Sequence, residues 1–174
     1  MDYTIRYAKE NDFIEIAKLA EQCKPMSTER NSIYHIFTKF FSNTSLVFES
    51  NKNNEIYGFL LGFISQKNLE EAYIHLLCLR TEIRGKGFAK KIIEKFSHEI
   101  KSKGCKKITL ITKPINKDAI KFYTKLGFKH IIPPDDKSLE VNGVITCKDY
   151  NGKGEHMVIF QKPLDNELHI YNKV

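Results

Sequence analysis

The sequence predicts an α/β protein with a mixed sheet and the element order β-α-α-β-β-β-α-β-α-β-β. Three observations carry that expectation. Apolar residues recur at helical spacing in several segments, and runs rich in β-branched and aromatic residues separate those segments. Glycine, asparagine and proline fall where one pattern gives way to the next. With 174 residues and 41% hydrophobic content, the chain fits one packed domain spanning 1–174, with a core of about 4–162 and a tail at 163–174.

Residues 4–8 read as a first strand, and 11–23 as a helix with Ile14, Ile16, Ala17, Leu19 and Ala20 on or near one face. Ser27 is placed to cap a second helix that runs through Ile33, Tyr34, Ile36, Phe37, Phe40 and Phe41, with Glu29 in its first turn. The period then changes to two. Residues 45–50 and 56–65 flank Asn51-Lys52-Asn53-Asn54 and are expected to form an antiparallel hairpin, with a fourth strand at 72–79. In 87–103, Phe88, Ile92, Ile93, Phe96 and Ile100 make an apolar helical stripe, and Gly104 suits the left-handed position that ends it. A strand at 107–112, a short helix at 117–126 ended by Gly127, and a strand at 128–132 follow. Pro133 and Pro134 break regular structure. Residues 139–146 read as a small hairpin on a type I′ turn at Asn142-Gly143, and 155–162 as the last strand.

Composition narrows the class. The charge is +7, from 28 Lys and Arg against 21 Asp and Glu. Only Arg6, Arg30, Arg80 and Arg84 are arginine, so the excess is lysine, whereas nucleic-acid readers lean on arginine forks. A solvated basic surface, with no nucleic-acid partner, is the expectation. No apolar run approaches a membrane span and the opening residues lack a signal pattern, so a cytoplasmic protein without a membrane partner is expected. Cys23, Cys78, Cys105 and Cys147 are far apart and show neither a C-x-x-C pair nor zinc-ligand spacing. Reduced thiols and no metal are expected.

The chemistry converges on Leu77-Cys78-Leu79-Arg80 and the turn after it, Arg84-Gly85-Lys86-Gly87-Phe88-Ala89-Lys90. This is a strand, a glycine turn and a helix start. The first amides of a helix have no intrahelical partner and carry the positive end of its dipole, and glycines there let a phosphate approach the backbone. Arg84 and Lys86 add positive charge. Taken alone, the same pattern also fits a plain strand-to-helix connection.

The turn resembles motif A of the GNAT N-acetyltransferases, whose R/Q-x-x-G-x-G/A pattern is met by Arg84-Gly85-Lys86-Gly87-Phe88-Ala89. Asn116-x-x-Ala119-x-x-Phe122-Tyr123-x-x-Leu126-Gly127-Phe128 resembles the family's motif B, in the expected order and about thirty residues further on. The resemblance implies a mostly antiparallel sheet whose central strands splay apart. It implies acetyl-coenzyme A as co-substrate, lying along the backbone of Leu77, Cys78 and Leu79 with its phosphates at Arg84 to Lys90 and Asn116 beside its arm. It also implies direct attack by an amine, without a metal or a covalent enzyme intermediate, and it admits a homodimer.

By the same resemblance Tyr123 protonates the departing thiolate; the alternative is a tyrosine packed in a core stripe. His75 is the first candidate for the base. His75-Leu76-Leu77-Cys78-Leu79 resembles a His-x-Leu-x-Val stretch of serotonin-type arylalkylamine acetyltransferases, although a lone histidine on a buried strand is commonly structural. Glu71 and Tyr73 lie at two-residue steps on the same strand face and could relay a proton through water. An acyl-cysteine at Cys78 has no histidine placed by sequence to activate it. Asn116 also suits a helix N-cap.

The acceptor end is a region rather than a set of residues. In the family it is built by the first two helices and the loop between the last two strands, here 25–41 and 133–154. Asn31-Ser32-x-Tyr34, residues 41–49 and Thr112-x-Pro114-x-Asn116 resemble diaminobutyrate acetyltransferases, which points to a small amine or amino acid. The Phe122-Tyr123 pair and the extra segment after Pro134 depart from that pattern. A protein N-terminus or lysine as acceptor, and a coenzyme A-binding module without catalysis, are the alternatives.

Overall fold

A computed structural model of the chain describes residues 2–25 and 31–164. The cap at Ser27, Glu29 in the first turn of the second helix, and the tail from 165 lie outside the described residues.

The strands and helices are β1 (Tyr3–Tyr7), α1 (Phe13–Ala20), α2 (Asn31–Phe40), β2 (Leu46–Ser50), β3 (Ile56–Ile64), β4 (Glu71–Leu79), α3 (Phe88–Ser102), β5 (Lys107–Thr112), α4 (Lys117–Lys125), β6 (Lys129–Ile131), β7 (Ser138–Val141), β8 (Val144–Cys147) and β9 (Val158–Pro163). The main sheet runs β1-β2-β3-β4-β5-β9-β6. It is antiparallel apart from the β4–β5 pair. The expected mixed, mostly antiparallel architecture is therefore present. The strands β7 and β8 form a separate two-stranded sheet. Their turn has positive φ at both Asn142 and Gly143, as a type I′ turn requires, and Cys147 bridges to Met157 just before β9.

Both faces of the sheet are covered. Ile92, Phe96 and Ile100 of α3 pack on Leu60, Ala72, Ile74 and Ile108, with Tyr123 of α4 and Phe160 of β9 in the same cluster. On the other face Ile16, Leu19 and Ala20 of α1 and Tyr34 and Phe37 of α2 pack on Val47, Phe59, Leu61, Leu76 and Cys78. The apolar spacing of the helices sets these two layers directly.

Several boundaries differ from the sequence reading. Residues 10–12 form a separate 3₁₀ turn, α1 stops at Ala20, and Cys23 lies in the turn after it. The last strand starts at Val158 rather than 155. Gly152 and Gly154 hold positive φ and the His156 ring accepts the Asp149 N–H at 3.0 Å, which curls this stretch out of extended geometry.

The central irregularity is in β4. Leu61 pairs with Leu76 and Gly62 with Ile74, so His75 has no opposite residue on β3. Side chains change sides there: Ala72 and Ile74 belong to the α3 layer, Leu76 and Cys78 to the α1–α2 layer. Gly62 sits opposite this bulge. A Cβ on it would lie 2.7 Å from Phe96 Cε2 and 2.9 Å from the Tyr73 carbonyl oxygen. Gly62→Val is expected to lose about 1–3 kcal/mol or more of stability by overpacking. Chemical denaturation measures this, and a wild-type midpoint for the variant would show that the bulge has slack.

Candidate active site

The parallel ladder between β4 and β5 ends at Ile74 and Leu110, although both strands continue. Past that point they separate. A cleft of about 1230 Å³ occupies the gap and runs between α3 and α4. On one side it is lined by Leu77, Cys78, Leu79, Arg84, Gly85, Gly87, Phe88, Ala89 and Lys90; on the other by Leu110, Thr112, Asn116, Ala119, Phe122 and Tyr123. His75, the bulged residue, lines it as well. Of the residues picked from sequence, Lys86, Glu71 and Tyr73 are outside this lining.

The turn before α3 has the geometry of an anion cradle. Gly85 has φ +74 and Gly87 has φ +83, and nothing stands within 4 Å of where a Cβ would be on either. Gly87 is the N-cap of α3 and offers no side chain to cap it. The first intrahelical bond is from Lys91 N–H to the Gly87 carbonyl, leaving the amides before it open. No acidic residue sits in that first turn to neutralise it. A pyrophosphate fits these open amides and this unfilled space.

Arg84 is engaged elsewhere. Its Nε donates to the Leu79 carbonyl at 2.9 Å and its Nη2 to the Gln22 carbonyl at 3.2 Å, with Cys23 Sγ at 3.4 Å. It ties the end of β4 to the exit of α1. Cys23 and Cys78 are joined by a disulfide with Cα atoms 5.8 Å apart, which corrects the expectation of reduced, unpaired thiols. The two lie 55 residues apart in sequence and only the fold brings them together, so spacing carried no sign of the pair. The Cys78 side chain packs in the α1–α2 layer with its sulfur in this bond, so it is no nucleophile in this state.

Across the cleft Asn116 caps α4, its Oδ1 accepting the Ala119 N–H at 3.2 Å. Tyr123 is 9% exposed and packs against Phe122, Phe128 and Phe160, with ring centroids 5.2, 5.5 and 6.0 Å away. Its hydroxyl has no hydrogen-bond partner among the described residues, and burial pushes the phenol well above the usual tyrosine range. His75 stacks on Phe37 at 4.8 Å, and burial holds its pKa below the ordinary value.

Glu71 stands apart from this group. It lies four positions before His75 along the strand, about 13 Å away. Its carboxylate accepts from Thr109 Oγ1 at 2.5 Å and pairs with Lys107 at 3.2 Å. Burial acts to raise its pKa, but these partners outweigh that and the net shift is downward. Burial raises the Tyr73 phenol strongly, and the phenols of Tyr150 and Tyr123 add to the effect; its ring packs on Phe63, with centroids 5.4 Å apart. Tyr73 was legible as a face-mate of His75. Tyr150 carried no sequence signal.

A model of the acetyltransferase (GNAT) family matches residues 5–128. The chain belongs to this family. It is an acyl-coenzyme A-dependent N-acetyltransferase. Solved structures agree on the fold. Diaminobutyrate acetyltransferase EctA from Paenibacillus lautus, in complex with L-2,4-diaminobutyric acid and coenzyme A, superposes with a TM-score of 0.70 at 14% identity, over 96% of this chain and 98% of that one. Ard1 from Thermoplasma volcanium gives 0.74 at 17% identity, over 94% and 98%. The ribosomal-protein-S18-alanine N-acetyltransferase from Escherichia coli gives 0.68 at 16%, over 94% of each. At these identities the likeness is one of fold. Among the described residues, no helix of this acetyltransferase is long and apolar enough to cross a membrane.

Removing the α4 cap tests the architecture of this wall without touching an ionisable group. Asn116→Ala is expected to cost about 1 kcal/mol in a denaturation experiment, and Asn116→Ser to recover most of it. Equal losses for both variants would mean that the side chain acts by something other than capping.

Proposed function

We propose that this acetyltransferase moves the acetyl group of acetyl-coenzyme A to the primary amine of a small molecule by direct attack, within a single domain, with Tyr123 as general acid and His75 as general base. The observation that carries this reading is the bulge. It opens the sheet where β4 and β5 part and brings His75 to the cleft whose far wall holds Tyr123. The thioester end of acetyl-coenzyme A would enter this gap along Leu77 to Leu79. Its pyrophosphate would meet the open amides of residues 88–90 beneath Gly85 and Gly87.

A half-buried His75, its pKa lowered by desolvation, is neutral at pH 7 and able to take the proton that the acceptor ammonium must lose. The buried phenol of Tyr123 stays protonated across the working range and can donate as charge grows on sulfur. Glu71, with its carboxylate held by Lys107 and Thr109, suits an anchor of the β4–β5 ladder better than a base. Lys86 is exposed beside the turn and adds charge at its rim.

A small acceptor is favoured by the face of β4 that carries Tyr73 and His75. His75 stacks there on Phe37 of α2. The rest of that face is a chain of rings, Phe37, Phe41, Phe63 and Tyr73, with neighbouring centroids at 5.4–6.2 Å. Such an aromatic face suits a compact molecule rather than an extended peptide. The complex of EctA with L-2,4-diaminobutyric acid shows the same fold accepting an amine of that size.

Steady-state kinetics with a free-thiol readout over a panel of small amines tests the proposal directly. Tyr123→Phe is expected to lower kcat by about 10²–10⁴-fold with little change in KM for acetyl-coenzyme A. Unaltered kcat would remove Tyr123 from its role. Gly87→Val is expected to act on the other quantity, raising that KM, since a branched side chain is strained at φ +83 and crowds the cradle.

The pH profile follows from the two shifts. Activity needs neutral His75, so kcat/KM rises with pH through a midpoint below the ordinary histidine value and is flat at neutrality. It also needs protonated Tyr123, so the fall at high pH lies above the ordinary tyrosine range. His75→Gln is expected to remove the acidic limb, and an unchanged limb would assign it to another group.

A further inference from the structure

Two cysteines that acetyl transfer does not use meet in the wall of the cleft. Cys23 lies in the turn leaving α1 and Cys78 on β4, at a Cα separation that a disulfide spans without backbone movement. The surroundings of the two sulfurs differ. Cys78 is 2% exposed, with the Leu19 carbonyl 3.5 Å from its sulfur. Cys23 is half-buried, lines the cleft, and has Arg84 Nη2 3.4 Å from its Sγ. A guanidinium beside a thiol favours the thiolate. An accessible, cation-flanked thiol next to a buried one is the arrangement of an attacking and a resolving cysteine. Cys105 and Cys147 are unbridged, and burial pushes the Cys105 thiol up, away from reactivity.

The pair joins two parts of the site that the chain separates by 55 residues. At one end, the Gln22 carbonyl and Cys23 sulfur hold Arg84, the first residue of the phosphate turn. At the other end is β4, where it has parted from β5. The chain continues from Cys23 towards α2, whose Phe37 stacks on His75. A bond between Cys23 and Cys78 therefore fixes the cleft wall from the phosphate turn to the splayed strand.

We propose that Cys23 and Cys78 form a reversible thiol–disulfide site that exchanges with low-molecular-weight disulfides, and that the bridged form holds the cleft ready for acetyl-coenzyme A. This rests on the reading of the cleft as the acetyl-coenzyme A site. In the forward step the Cys23 thiolate attacks one sulfur of a small disulfide, RSSR, forming a mixed disulfide and releasing one thiolate. The Cys78 thiol then loses its proton and attacks Cys23 Sγ, expelling the second. The protein dithiol gives up two electrons and two protons, and one RSSR becomes two RSH. The same small thiols reverse it.

The test equilibrates the full chain in mixtures of oxidised and reduced glutathione, with and without acetyl-coenzyme A, and counts labelled thiols after denaturation. On oxidation the count is expected to fall from the four cysteines of the sequence to two. The melting temperature is expected to rise by about 5 °C or more from the constraint on the unfolded chain. The dissociation constant for acetyl-coenzyme A, measured by equilibrium binding, is expected to be lower in the bridged form by at least about fivefold. By reciprocity, saturating acetyl-coenzyme A must then shift the disulfide-to-dithiol ratio by the same factor, a readout that a merely structural bridge would not move. Cys23→Ser is expected to show the reduced enzyme's dissociation constant in every mixture. Four labelled thiols throughout would overturn the proposal, and so would a bridged form with an unchanged dissociation constant and an unchanged ratio. Acetyl-coenzyme A that raised the melting temperature of neither form would count against the cleft assignment first, and against the proposal with it.

Discussion

The residue that β4 carries in excess over β3, His75, ends the regular ladder to β5 and turns the rest of the strand's side chains to the opposite helical layer. A bulge adds twist and bends its strand, so the two central strands cannot stay parallel beyond it. The result is an unpaired stretch of strand edge inside a covered sheet. Backbone N–H and C=O groups in such a position are costly unless something pairs with them. An extended ligand arm carrying its own amides is the natural partner, as when a peptide adds to an open sheet edge. The sheet therefore creates the demand that acetyl-coenzyme A would meet, and it does so beside the residue best placed to act as base.

The phosphate end follows a different logic. An uncapped helix start normally recruits a Ser, Asp or water to its free amides, but Gly87 supplies none and the left-handed turn keeps the neighbourhood clear. The amides are left for a ligand. Positive charge of the kind expected of Arg84 is not what this turn relies on, because its guanidinium bonds to Leu79 and Gln22. Arg84 acts as a staple that fixes where the turn sits relative to β4. Neutral amides held in place bind an anion without desolvating a long cation, and their orientation is paid for during folding.

These two halves differ in how far the sequence exposed them. The glycine turn, the apolar stripe of α3 and the Asn142-Gly143 hairpin depend on local backbone preferences, so residue type alone located them. The splay of the central strands and the choice of Tyr123 came from the resemblance of the two motifs rather than from periodicity. What could not be read is what the fold assembles from distant segments. The Cys23–Cys78 bond joins the turn after α1 to β4, and the Glu71 carboxylate helps to raise the phenol of Tyr150, which the sequence separates from it by two helices and four strands. Glu71 shows the limit of strand arithmetic: it shares a face with His75, yet the distance along the strand and the grip of Lys107 and Thr109 take it away from the cleft. Face-sharing shows which way a side chain points but not what it meets.

Burial acts on the two proposed proton carriers in opposite directions, and this ties the packing to the chemistry. The same loss of solvent that lowers the pKa of His75 raises that of Tyr123, because each is driven towards its neutral form. Before reaction both are therefore uncharged, and neither brings an unpaired ion into the apolar clusters around it. Nucleophilic attack then needs a proton to leave the amine near one and to reach sulfur near the other. Two neutral groups with widely separated pKa values are suited to these roles, one as acceptor and one as donor, without a metal or a buried salt bridge to set them. A carboxylate base in the place of His75 would have to be held ionised by a cation, as Glu71 is by Lys107, and would lose basicity in the process. The apolar setting of the bulge thus favours imidazole over carboxylate there, and in the proposed mechanism the rings of Phe37 and its neighbours would serve to keep that setting apolar.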